Sequence, residues 1–153
     1  MARGAAQRRG GEARPSTGGS PRRPSARRQP LLLIADDTSD VRDLYAQYFS
    51  RRGFTVVTAD DGAAAIRLAL DHIPDVIVMD LAMPQFDGIT AIRRIKADPR
   101  TWRTRVILLT GYPHKTIERG ALEAGADTFL MKPCLPEELE RHVKGLRRDR
   151  RSA

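Results

Sequence analysis

"DVIVMDLAMPQFDG", residues 75–88, carries four apolar residues into an acid and then into a loop containing proline and glycine. A segment suited to burial does not ordinarily end on a carboxylate, because taking that charge out of water is costly. The conflict resolves if residues 76–80 form a strand of a parallel sheet covered on both faces. Asp80 then has its backbone in the core and its side chain at the carboxyl edge, where open α/β sheets bind ligands.

The same punctuation recurs along the chain. "LLLIADD" precedes "SDVRDLYAQYFSRRG", which spaces Val41, Leu44, Tyr45, Tyr48 and Phe49 as one helical face and closes at Gly53. "FTVVTA" precedes a helical stretch with Ile66, Leu68, Ala69 and Ile73 that stops at Pro74. "DVIVMD" leads to "DGITAIRRIKADP", "RVILLT" to "KTIERGALEAGA", and "DTFLMKP" to "PEELERHVKGLRR". Five strand-then-helix units with uniformly apolar strands predict an α/β domain. The expected architecture is an open, doubly wound five-stranded parallel sheet of order 2-1-3-4-5, flavodoxin-like, with its crevice between the first and third strands.

The net charge of +8 is unevenly distributed. Residues 1–30 hold eight arginines against one glutamate, and residues 147–153 four arginines against one aspartate, leaving residues 31–146 slightly acidic. The expected organisation is a disordered basic tail (1–30), one domain (31–147) and a basic C-terminal tail (148–153), since the leader lacks the aliphatics to offset ordering entropy. No apolar run approaches the roughly 20 residues that cross a bilayer, and no signal-peptide core is visible. With one cysteine, Cys134, there is no internal disulfide framework. A cytoplasmic location without membrane attachment is expected. Nucleic acid is not expected as a partner, although the basic tails leave it open.

Asp36 and Asp37 end the first strand beside Asp80. Three carboxylates in one crevice repel one another, and the natural counter-charge is a hard divalent cation with oxygen ligands, magnesium above all. Thr110 ends the fourth strand with a hydroxyl donor, and Lys132 the fifth with a compact positive charge. Asp87 is the expected N-cap of the third helix and Gly88 gives its tight entry. His72, His114 and His142 have no metal spacing and receive no role. Cys134 is expected as a small, partly buried thiol, Trp102 as a packing anchor, and the basic run Arg93, Arg94, Lys96, Arg100, Arg103 and Arg105 as a solvated face.

Taken in order, Asp36-Asp37, Asp80 in "DLAMPQFDG", Thr110 in "ILLTG" and Lys132-Pro133 in "FLMKP" give the chain a pattern that resembles the receiver domain of two-component response regulators, over residues 31–147. The resemblance implies a phosphoacceptor signalling domain, not an enzyme in the ordinary sense. Asp80 would take a phosphoryl group from a sensor histidine kinase or a histidine phosphotransfer protein. It implies magnesium held by Asp36, Asp37, Asp80 and the carbonyl of Ala82, with Lys132 and Thr110 on phosphoryl oxygens. It further implies a switch through Thr110 and Phe129, a cis Lys132-Pro133 bond, and output to a downstream protein by a stand-alone CheY-like regulator. A phosphatase of the haloacid-dehalogenase type would want a second acid two residues after Asp80, where Ala82 stands. A degenerate receiver would lack some of the key residues, and here all are present.

Overall fold

The computed structural model describes residues 28–112 and 114–152, so residues 1–27, most of the basic N-terminal tail, lie outside the described residues. Five strands alternate with five helices: β1 (Leu31–Ala35), α1 (Ser39–Arg51), β2 (Thr55–Ala59), α2 (Gly62–His72), β3 (Val76–Asp80), α3 (Gly88–Ala97), β4 (Arg105–Thr110), α4 (Lys115–Ala124), β5 (Thr128–Met131) and α5 (Pro136–Ser152). All pairings are parallel and the order is β2-β1-β3-β4-β5, as the alternation of units predicts.

Side chains alternate across the sheet and split the core in two. Leu33, Ala35, Ile77, Met79, Val106 and Leu108 face one layer, where the alanines Ala65, Ala69, Ala91 and Ala121 let α2, α3 and α4 approach closely. Leu32, Ile34, Val76, Val78, Ile107 and Leu109 face the other, against Tyr45 and Phe49 of α1 and Leu139 and Val143 of α5. Every residue of β3 is buried, Asp80 included.

Four expectations need correction. Leu44 fits the periodicity of α1 but is 55% exposed, because the sheet admits only the narrower stripe through Tyr45 and Phe49. Ile73 lies beyond the helix whose spacing it continues and caps it in the left-handed region, φ 48°, with its N–H still donating to the Ala69 carbonyl. Trp102 is 52% exposed and so is no core anchor. Its loop is instead held by buried Thr101 and Thr104, whose hydroxyls donate to the carbonyls of Ile95 (2.5 Å) and Pro74 (3.0 Å). The basic run is not uniformly solvated either. Lys96 and Arg105 converge on Asp127 at 3.4 and 2.9 Å, and Asp127 also accepts from the Val106 N–H.

The contrast between Leu44 and Phe49 is testable. Phe49 is fully buried and meets Tyr48 and Phe54 edge-on with ring centroids 5.3 Å apart. Phe49→Ala should cost about 3–5 kcal/mol in a urea titration, through lost burial and the cavity left behind. Leu44→Ala should stay within about 0.5 kcal/mol of wild type; similar losses for the two would contradict the separation.

Candidate functional site

The carboxyl ends of β1, β3 and β5 bring Asp36, Asp80 and Lys132 together from positions far apart in the chain. The Lys132 ammonium donates to Asp36 Oδ2 at 3.1 Å and pairs with Asp80 Oδ1 at 2.8 Å. Both carboxylates are almost fully buried, whereas Asp37, next to Asp36, is exposed. One oxygen from each of the three acids lies within 4.8 Å of the others.

The main chain fixes each of these groups. Asp36 Oδ1 accepts from the Thr38 N–H at 2.9 Å, forming a local turn, and the Asp36 N–H donates to the Ala59 carbonyl of β2. The Leu81 N–H donates to Leu109 and the Gly88 N–H to Leu81, so the loop after Asp80 is pinned at both ends. A side chain at Gly88 would collide with the Asp80 carbonyl, which explains glycine at that position. Asp87 caps α3 by accepting from the Thr90 N–H at 2.9 Å, as expected. The Lys132 N–H donates to the Thr110 carbonyl at 2.8 Å, and the Lys132-Pro133 bond is cis.

Burial raises the pKa of Asp80, and repulsion from Asp36 and Asp37 adds to it, against the opposing hydrogen bond from Lys132. Burial alone would lower Lys132, but its hydrogen bonds to Asp80 and Asp36 outweigh that and the net shift is upward. One ammonium therefore faces three carboxylates. Three hard oxygen donors in excess of local positive charge suit a hard divalent cation such as magnesium, which accepts a few carboxylates and retains several waters.

Thr110 and Phe129 lie on β4 and β5 beside this cluster. The Thr110 hydroxyl is buried and exchanges hydrogen bonds with the main chain of Tyr112, accepting from its N–H at 3.0 Å and donating to its carbonyl at 3.3 Å. Phe129 pairs with Leu108 across β4 and β5, is half-buried, and packs into the layer under α4. By the alternation of the strands, Thr110 and Phe129 face the same side of the sheet. Ala82 is exposed in the loop after β3.

Two supports were invisible in the sequence. The Tyr45 hydroxyl donates to the Cys134 carbonyl at 2.6 Å, tying α1 to the turn after Lys132-Pro133 across 89 residues. His114, given no role from sequence, caps α4, its Nδ1 accepting from the Thr116 N–H at 3.1 Å. Burial pushes the Cys134 thiol up to about 11 and the Tyr45 hydroxyl to about 12, so neither ionises near neutrality.

Residues 32–144 match the response regulator receiver domain. The transcriptional regulatory protein PrrA of Mycobacterium tuberculosis is 38% identical over 123 residues, covering 80% of this chain and 52% of PrrA. The chemotaxis protein CheY of Bacillus subtilis is 35% identical over 67% of this chain and 84% of its own length. The chain spans about half the length of the transcriptional regulators it matches. Among solved structures, chemotaxis protein CheY4 of Vibrio cholerae superposes with a TM-score of 0.74 at 25% identity, over 77% of this chain and 98% of CheY4. A CheX-CheY-BeF3-Mg+2 complex from Borrelia burgdorferi gives 0.71 at 28% identity, over 76% of this chain and 88% of the other.

Two measurements test the electrostatics. Native Asp80 keeps its proton to higher pH than an unfolded aspartate near 3.8. The metal-free fold therefore loses stability as pH rises from the unfolded value through the raised native one. In chelator at neutral pH, Asp80→Asn should melt higher than wild type by about 5 °C, the scale of ~1 kcal/mol for a domain of this size. The advantage should shrink toward pH 4, and a lower-melting variant at neutral pH would contradict the repulsion. Separately, the raised thiol predicts that native Cys134 is alkylated at pH 8 about 100-fold more slowly than in the urea-unfolded chain, because only thiolate reacts.

Proposed function

The chain belongs to the response regulator receiver domain family of two-component signalling, and from that premise we propose that Asp80 is its phosphoacceptor. The donor is a phosphohistidine on a sensor histidine kinase or a histidine phosphotransfer protein. A carboxylate oxygen of Asp80 attacks phosphorus as the phosphorus–nitrogen bond breaks, and that electron pair leaves with the imidazole. The carboxylates of Asp36, Asp37 and Asp80 with the Ala82 carbonyl would hold magnesium, whose charge would offset that of the phosphoryl oxygens.

The observation that carries this reading is Lys132, 2.8 Å from Asp80 and 3.1 Å from Asp36. An ammonium already on the acceptor needs little movement to follow an incoming phosphoryl oxygen, so much of the ordering is done beforehand. The CheX-CheY complex from Borrelia burgdorferi contains BeF3 and Mg+2, which supports an anion and a cation as ligands of such a domain.

Thr110 supplies the switch. Its hydroxyl is committed to Tyr112 in the unmodified protein, and turning to a phosphoryl oxygen would release that turn. Phe129, on the same side of the sheet, would then repack toward the vacated space. The surface around α4 and β5 would change as a population shift biased by local charge. A downstream protein would read that surface, where Tyr112 and Met131 are 68% and 51% exposed. A cytoplasmic setting is compatible with the single free Cys134. No described helix is long and apolar enough to cross a membrane.

Incubation with magnesium and acetyl phosphate, followed by intact-mass analysis, tests the assignment. One base-labile phosphoryl group is expected on the wild type, none on Asp80→Asn and none in chelator. Thr110→Ala should accept the group yet show no change in amide exchange around residues 110–112 or in α4. Equal modification of Asp80→Asn would overturn the proposal.

A further inference from the structure

We propose that the edge of the sheet opposite Asp80 is a docking surface for single-stranded nucleic acid. Because all strands are parallel, Pro30 before β1, Phe54 before β2 and the loop before β4 lie at one edge. A cavity of about 310 Å³ opens there, lined by Pro30, Phe54, Arg52, Lys144, Arg147 and Arg148. Its rim is held in place. The Arg52 guanidinium lies 5.0 Å from the Tyr48 ring centre, the Tyr48 hydroxyl donates to Glu140 Oε1 at 2.8 Å, and Lys144 pairs with Glu140 at 3.1 Å.

Trp102, the single tryptophan, stands 52% exposed in the loop before β4, with the Arg103 guanidinium 4.8 Å from its ring centre.

These features select among anionic partners. Arginine outnumbers lysine at the cavity, and its planar fork matches phosphate oxygens in pairs. An exposed indole beside arginines is a platform on which an unpaired base can stack, a contact that duplex DNA does not offer. A membrane would ask for a broad apolar patch, whereas this cavity is lined mainly by Arg52, Lys144, Arg147 and Arg148. The surface is independent of the phosphoacceptor reading. A five-residue strand spans about 17 Å, about twice the screening length in physiological salt.

The full chain should be titrated into a labelled oligothymidylate of about 20 nucleotides and a matching duplex at about 50–200 mM NaCl, following anisotropy and Trp102 emission. Expected are tighter binding to the single strand, quenching of Trp102, and unchanged affinity for Asp80→Asn. Arg52→Glu/Arg147→Glu should weaken binding at least about 10-fold and flatten the salt slope by about 1.5. Trp102→Ala should weaken the single strand at least about 5-fold and leave the duplex unchanged. Matching thermal melts confirm folding, and the milder Arg52→Gln/Arg147→Gln should fall between wild type and charge reversal. The proposal is overturned by no binding at the lowest salt, by unquenched Trp102, or by binding that removal of residues 1–27 abolishes and charge reversal leaves untouched. Retention on phosphatidylserine vesicles that oligonucleotide fails to compete would reassign the surface to membranes.

Discussion

One ammonium shared between two buried carboxylates holds the functional edge of this domain in balance. Lys132 cannot neutralise Asp36, Asp37 and Asp80 together, and burial of Asp80 raises the cost of the remaining charge. Replacing the set with apolar side chains would relieve that cost. Its presence is stored repulsion, relieved by whichever cation or protonation state the crevice accepts.

Holding charges in an unfavourable arrangement requires a rigid frame, and the surrounding elements supply one by different means. β1 and β3 place their acids by register, since Asp36 and Asp80 each follow strand residues that are wholly buried. The loop after Asp80 also docks on the start of α2, where the Gly62 N–H donates to the Pro84 carbonyl and a Cβ would collide with the Phe86 carbonyl. Lys132 hangs from a turn fixed on both sides, by Thr110 through the main chain and by Tyr45 through the Cys134 carbonyl. Thr110 thus touches the site through its backbone while its hydroxyl serves Tyr112, so one residue links the charged cluster to the turn before α4.

What could be read from the sequence was what the periodicity of a single element encodes. β1 and β3 are short apolar runs that end at or beside an acid, and the recurring strand-then-helix units imply the parallel sheet around them, although β2 exposes Thr55 and Thr58. Tertiary partners were out of reach. Leu44 and Phe49 look alike along α1, and only the sheet beneath tells which is covered. Lys96 and Arg105 read as surface cations until Asp127, from the turn before β5, is folded against them. Trp102 failed for the opposite reason, since a large aromatic is assumed to seek burial, whereas two threonine hydroxyls satisfy buried carbonyls and hold its loop.

The same separation explains why the net charge of +8 describes neither end of the molecule. Asp36, Asp37 and Asp80 cluster at the carboxyl ends of the strands, while Arg52, Lys144, Arg147 and Arg148 line the cavity around Pro30 and Phe54 at the other. With about 17 Å of dry sheet between them and screening over about 8 Å in physiological salt, the two fields do not cancel in solution. A phosphohistidine partner meets a locally acidic crevice and needs a cation to approach it, whereas a polyanion meets a locally basic rim and displaces counterions. Two partners of like charge can therefore occupy opposite edges of one small domain, with little electrostatic cost to either from the other.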